Sequence, residues 1–152
     1  MKQINRFLKI GLVLAILGAG YFFTSLTIFD RTFIQLNASQ KVNYIPFENR
    51  LNMQCDKADN LVPKLASSRF HLITWNVHKG QDTGWQEDLE RLSKQADFVL
   101  LQEATQHQNL STFSTALFVS SFSFKELLSG VKTFTQTQPE WYCGGGVAEP
   151  II

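Results

Sequence analysis

The chain has too few cysteines for a zinc-type cluster, since Cys55 and Cys143 are the only two. No internal repeat is present, which excludes solenoid and propeller architectures. A nucleotide-binding glycine fingerprint is also missing: Gly144-Gly145-Gly146 lacks the following Lys and Ser or Thr of a phosphate loop and reads as a turn. Nor is there a basic excess. From Asp30 onward the chain carries 11 basic and 13 acidic residues, and 11 − 13 gives a net charge of −2. That balance lacks the electrostatic footprint of a broad nucleic-acid binder.

What the chain does have begins at its amino terminus. Lys2, Arg6 and Lys9 precede an uncharged stretch from Ile10 to Phe29, 20 residues long and enough to cross a bilayer core as a helix. A secretory signal peptide competes with this, because Gly18-Ala19-Gly20 supplies small residues near a cleavage point. The apolar run continues past those small residues through Tyr21, Phe22, Phe23, Leu26, Ile28 and Phe29, which favours an uncleaved anchor over residues 1–30. Three basic residues before the segment, against Asp30 and Arg31 after it, put the amino terminus in the cytoplasm and export the remainder to a periplasmic or extracellular space. In such an oxidising compartment Cys55 and Cys143 form a candidate disulfide, the alternative being two unpaired buried thiols.

Residues 31–68 read as a linker with little core of their own. Asn37, Asn43, Asn49, Asn52 and Asn60 dilute the apolar residues, and Pro46 and Pro63 interrupt any long helix.

From residue 69 the pattern sharpens. Ile73-Thr74-Trp75-Asn76 and Val99-Leu100-Leu101-Gln102-Glu103 each run apolar residues straight into a polar side chain, as strands that end at a site do. Between them, from Gly84 to Gln95, Trp85, Leu89 and Leu92 recur at helical spacing and predict a helix packed on a sheet, with Glu87, Glu90, Arg91 and Lys94 as its solvated face. A helix joining two strands makes them parallel neighbours. Their carboxyl ends then lie side by side, where open α/β sheets hold ligands, and Asn76 meets Glu103. Leu117–Phe124 and Val131–Thr135 are further strands of the same sheet.

Glu103 follows two residues that demand burial, so its charge must reach water, a metal or a partner. The plain alternatives are a carboxylate that happens to end a strand and, for Asn76, a turn-forming residue. His78 and Lys79 stand beside Asn76 and are candidate phosphate contacts, against an ordinary solvated loop. His107, in a polar stretch without a neighbouring carboxylate, and His71, at a strand start, read as surface residues.

The segments His71–Val77 and Val99–Ala104 resemble the first two motifs of the endonuclease/exonuclease/phosphatase superfamily of Mg-dependent phosphodiesterases. Ser129-Gly130-Val131-Lys132-Thr133, then Trp141-Tyr142-Cys143 and Glu149-Pro150-Ile151, are similar to uncharacterised bacterial members. The resemblance implies a four-layer α/β/β/α sandwich, with Glu103 as a ligand of Mg²⁺ or Mn²⁺ and Asn76 lining the same site. It implies as substrate a phosphodiester in a nucleic acid, a phospholipid or a small molecule. It covers residues 69–152, 84 positions, whereas such a domain needs about 200 to 250, within the usual single-domain range. The family's Gly-Asp-Phe-Asn and Ser-Asp-His motifs, which carry its base and transition-state contacts, do not occur in these 152 residues. The expectation is therefore an incomplete α/β sandwich behind a membrane anchor, inactive as it stands. Its sheet face would be exposed, covered by the amino-terminal segment or buried in an oligomer. The alternative class is a noncatalytic membrane-anchored interaction module or a truncation product.

Overall fold

The computed structural model describes residues 2–37, 42–46, 54–57 and 69–144, with side chains described for 7–29, 32–37 and 69–141. The protein is mixed α/β. Its elements in chain order are α1 (Lys2–Ser25), β1 (Leu26–Leu36), β2 (Val42–Pro46), β3 (Gln54–Lys57), β4 (Leu72–Asn76), a 3₁₀ turn (His78–Gly80), α2 (Trp85–Ser93), β5 (Phe98–Thr105), β6 (Thr115–Phe124), β7 (Leu127–Thr135) and β8 (Trp141–Gly144).

Within α1, Phe7–Ser25 is long and apolar enough to span a membrane or to act as a signal, and none of it is buried against the rest of the chain. The helix stops short of the expected Phe29. Leu26, Thr27 and Ile28 instead open β1 and pair with Phe124, Ser123 and Phe122 of β6. The Ser25 carbonyl accepts the Lys125 N–H at 2.9 Å, so the helix end is tied to the β6–β7 turn.

Six strands form one sheet in the order β2-β1-β6-β7-β5-β4. Strands β4 and β5 are parallel, with α2 between them in sequence, and every other pair in this sheet is antiparallel. A separate ribbon pairs β3 with β8. The linker assigned from composition to residues 31–68 therefore needs correction. Residues 31–36 lie in β1, an inner strand of the sheet, and Thr32, Phe33, Ile34 and Leu36 are buried. The ribbon sets Cys55 directly opposite Cys143 in register, although their side chains lie outside the described residues.

The register divides the sheet into two unlike faces. On one, Val99, Leu101, Phe118, Phe134 and Phe33 form the core, and Leu89 of α2, fully buried, packs into it with Trp85, Val77, Leu110 and Phe113. The α2 stripe differs from its expected composition: Leu92 is 42% exposed, and Ser93 is buried in its place. Ser93 lies 40° from Leu89 on the wheel, and its hydroxyl is satisfied by the Glu90 carbonyl and by Thr112 Oγ1. Glu90, expected to be a solvated charge, ties down the same loop. It accepts the Ser111 N–H at 2.9 Å and the Ser111 hydroxyl at 3.0 Å. The opposite face carries Leu72, Leu100, Leu117, Val119 and Val131, and here Leu72 is 59% and Val131 51% exposed.

Strands β6 and β7 approach so closely at Gly130 that a Cβ there would fall 1.9 Å from the Val119 carbonyl oxygen. Only glycine is compatible with that contact. It adjoins an irregular stretch where two residues on β7 oppose three on β6, Val119↔Val131 being followed by Phe122↔Ser129. The Ser120 hydroxyl fills the break, bonding the Phe122 carbonyl at 2.8 Å and the Ser129 carbonyl at 2.6 Å.

Candidate metal and phosphate site

Asn76 and Glu103 are in direct contact at the carboxyl end of the parallel pair: Asn76 Nδ2 donates to Glu103 Oε1 at 2.9 Å. A feature that no residue pattern announced makes this contact. Between Leu101↔Lys132 and Ala104↔Gly130, β5 advances three residues while β7 advances two. This is a β-bulge, with Glu103 at φ +48°. In a regular strand Glu103 would share the face of Leu101 and enter the core beneath α2. The extra residue returns Ala104 to that core, fully buried, and leaves Glu103 with Asn76 at the helix-free side. The bulge thus delivers a carboxylate to the strand end, and β5 continues beyond it to Thr105.

The loop after β4 completes the surroundings. Val77 N–H reaches the Gln102 carbonyl at 3.0 Å, and the chain then turns through His78 and Lys79 at φ +46° and +58°. Two successive non-glycine residues in the left-handed region store backbone strain, as segments that present side chains at sites often do. That turn places Lys79 Nζ 3.0 Å from Glu103 Oε2. Asn76 Oδ1 accepts the His78 N–H at 3.0 Å.

Both carboxylate oxygens are therefore engaged by donors, which holds the Glu103 carboxyl below its ordinary value of 4.5. The Asn76 amide is the largest cause and the Lys79 hydrogen bond the next. Glu103 is 41% and Lys79 33% exposed, so the group is an open, charge-neutralised cluster. Asn76 works here through its amide nitrogen, as the donor that orients Glu103, and its oxygen is already used by the backbone. The remaining candidates separate. His78 has its Nδ1 3.5 Å from Asp82 and adds only the smallest of the contributions that lower Glu103. His71 holds Asp97 through its backbone N–H at 2.7 Å, and His107 is exposed beside Gln106 at 3.1 Å.

Chemically the cluster offers one carboxylate, one amide and one movable ammonium. Mg²⁺ accepts one or two carboxylates, with waters and substrate phosphate completing its octahedron. Glu103 fits that minimum if the Lys79 ammonium yields Oε2. Among the described residues no group of three His, Cys, Asp or Glu side chains lies together in a way that could hold a metal ion by itself. No family model matches the chain, and no solved structure matches it either.

Proposed function

We propose that the Asn76–Glu103 pair is the cation-binding part of a phosphodiester-hydrolysing site, in a domain of the endonuclease/exonuclease/phosphatase type, exported behind an amino-terminal membrane anchor. The observation that supports this most directly is the β5 bulge. It places a carboxylate on the site-bearing end of the parallel pair, within 2.9 Å of the residue that closes the neighbouring strand. A bound Mg²⁺ or Mn²⁺ would neutralise charge developing on a phosphoryl oxygen. Glu103 would hold it, Asn76 would fix the carboxylate's rotamer, and Lys79 would turn from Glu103 to the phosphate of a nucleic-acid, phospholipid or small-molecule substrate. In the four-layer arrangement the helix-free face of the sheet would pack on a second sheet.

The reading is tested on the full chain in detergent by titrating Mn²⁺ and following its electron-spin resonance. We expect one weak site that Glu103→Gln weakens further, and affinity unchanged by that substitution would overturn the assignment. The family motifs that would carry the base and the transition-state donors, groups that normally add several orders of magnitude in rate, do not occur in these 152 residues. A generic phosphodiester with Mg²⁺ or Mn²⁺ is accordingly expected to turn over at background rate. Turnover abolished by Glu103→Ala would show that this chain is an enzyme by itself.

A second reading has its own observation. Leu72 and Val131 expose apolar surface on the helix-free face, and a second copy covering that face would make the chain a membrane-anchored interaction module without catalysis.

A further inference from the structure

Lys132 lies on the helix-covered face of β7, away from Glu103, and only 6% of it is exposed. Its Nζ sits 5.8 Å from the Phe118 ring centre and 5.5 Å from that of Phe134. It donates to the Gln106 carbonyl at 2.9 Å and to the Gln108 carbonyl, both in the loop that follows β5. An ammonium has three N–H groups, and these carbonyls take two. They offer dipoles and no countercharge, and among the described residues no carboxylate pairs with Lys132. Burial pulls its amine down from 10.5 to about 8, the signature of a cation whose desolvation is not repaid.

Beside it is a cavity of about 390 Å³, lined by Gln35, Asn37, His107, Asn109, Phe118 and Lys132 among others. That volume lies at the lower end for small-molecule sites. Among the described residues no acidic one lines the cavity, and the titratable groups there are Lys132 and His107. The carboxamides around it are under-used. Asn37 spends its oxygen on the Ala116 N–H at 2.7 Å, and among the described residues its NH₂ has no partner. The side chains of Gln35 and Asn109 make no hydrogen bond among the described residues. A cation in a cavity, a ring of unspent amide donors, a hydrophobic floor at Phe118 and no anion together define one complementary shape and charge.

We propose that this cavity binds a small oxyanion, a carboxylate- or phosphate-bearing molecule, anchored by the Lys132 ammonium and hydrogen-bonded by the amides of Asn37, Gln35 and Asn109. The site is independent of the Asn76–Glu103 cluster, since the two lie on opposite faces of the sheet. An anion in contact stabilises the charged amine, so binding is tightest below pH 8 and weakens as the amine deprotonates above it.

The test is competitive acetylation of the full chain in detergent, read by peptide mass spectrometry, with exposed Lys125 as internal reference. The probes are inorganic phosphate and acetate in the millimolar range, with chloride at matched ionic strength as control. Phosphate or acetate is expected to slow labelling of Lys132 several-fold relative to Lys125. Whichever acts identifies the class of oxyanion, and chloride should have no such effect. Gln35→Ala combined with Asn109→Ala leaves the core untouched and should weaken the protection about tenfold, as loss of hydrogen bonds to a charged group does. Absence of protection, equal protection by chloride, or protection unchanged in the double variant would each overturn the proposal.

Discussion

The two faces of the sheet treat charge in opposite ways. On the open face Lys79 meets Glu103 within 3.0 Å in a cluster that water reaches, so each charge is answered and neither costs much. On the closed face Lys132 is buried among aromatic rings with only carbonyl dipoles for company. The open cluster is suited to exchange partners, since an incoming ion replaces an ammonium already there. The closed one is suited to receive a partner it lacks. The difference follows from the covering element: α2 and the loop from Gln106 to Thr112 seal one side of β5, β7 and β6, and none of these elements covers the other.

If that sealing is what separates the faces, breaking it should have the largest effect. Leu89→Ala removes the fully buried anchor of α2 and should cost about 2–5 kcal/mol. The measurement is denaturant unfolding of the full chain in detergent. Labelling of Lys132 should rise with the opening while Lys79 stays as reactive as before. A loss below about 1 kcal/mol would mean that α2 does not hold the closed face shut.

How much of this arrangement was legible beforehand differs element by element. The β4–α2–β5 unit reads plainly because its periodicities are local, and the meeting of Asn76 and Glu103 follows from a parallel pairing that needs only those three elements. Strand β1 was hidden for two reasons. Its first four residues continue the apolar run of α1, and its partners on β6, such as Val119 for Ile34, lie more than 80 positions downstream. The bulge at Glu103 has no glycine to announce it. Glu90 reads as a solvated helix charge until the loop at Ser111 folds back onto it. Lys132 did carry a signal. It stands two residues before Phe134, so strand alternation puts both on one face, and a lysine sharing a core face with phenylalanine marks a buried charge.

The next effect separates the two lysines by pH. The folded-state value of Lys132 is depressed from 10.5 to about 8, so the unfolded chain binds the extra proton and stability rises between pH 8 and about 10.5. At 1.36 kcal/mol per unit, the full gain from this group is about 3 kcal/mol. Lys132→Met should remove that rise, seen by comparing unfolding free energies at pH 7.5 and 10. An identical slope in wild type and variant would show that Lys132 is not the desolvated cation the closed face requires.

Glu103 should show the same sign in the acid range, stability rising with pH, and a smaller effect. Its folded-state value lies below 4.5, so its contribution is complete above pH 4.5 and is lost as pH falls through the lowered value. Because the Asn76 amide is the larger cause, Asn76→Ala should flatten this acid-side loss more than Lys79→Met does. The experiment is the thermal midpoint of each variant between pH 6 and pH 3. A larger change with Lys79→Met would make the open cluster an ion pair first and a positioned carboxylate second.

The smallest expected effect on stability belongs to the open apolar surface. Leu72 and Val131 are 59% and 51% exposed, so Leu72→Ser and Val131→Thr remove little buried area and should leave unfolding within about 0.5 kcal/mol of wild type. Association should respond instead. Both side chains are exposed on the helix-free face, and exposed apolar surface of this kind lowers its free energy by packing on a second copy or a second sheet. The pair of substitutions is therefore expected to reduce self-association of the full chain in detergent, measured by analytical ultracentrifugation, while the Lys132 labelling on the other face stays unchanged. A clear loss of stability would mean that Leu72 and Val131 are already covered within the monomer and that the two faces are less different than their exposure indicates. Unchanged association with unchanged stability would remove the second-copy reading and leave the open face to the Asn76–Glu103 site alone.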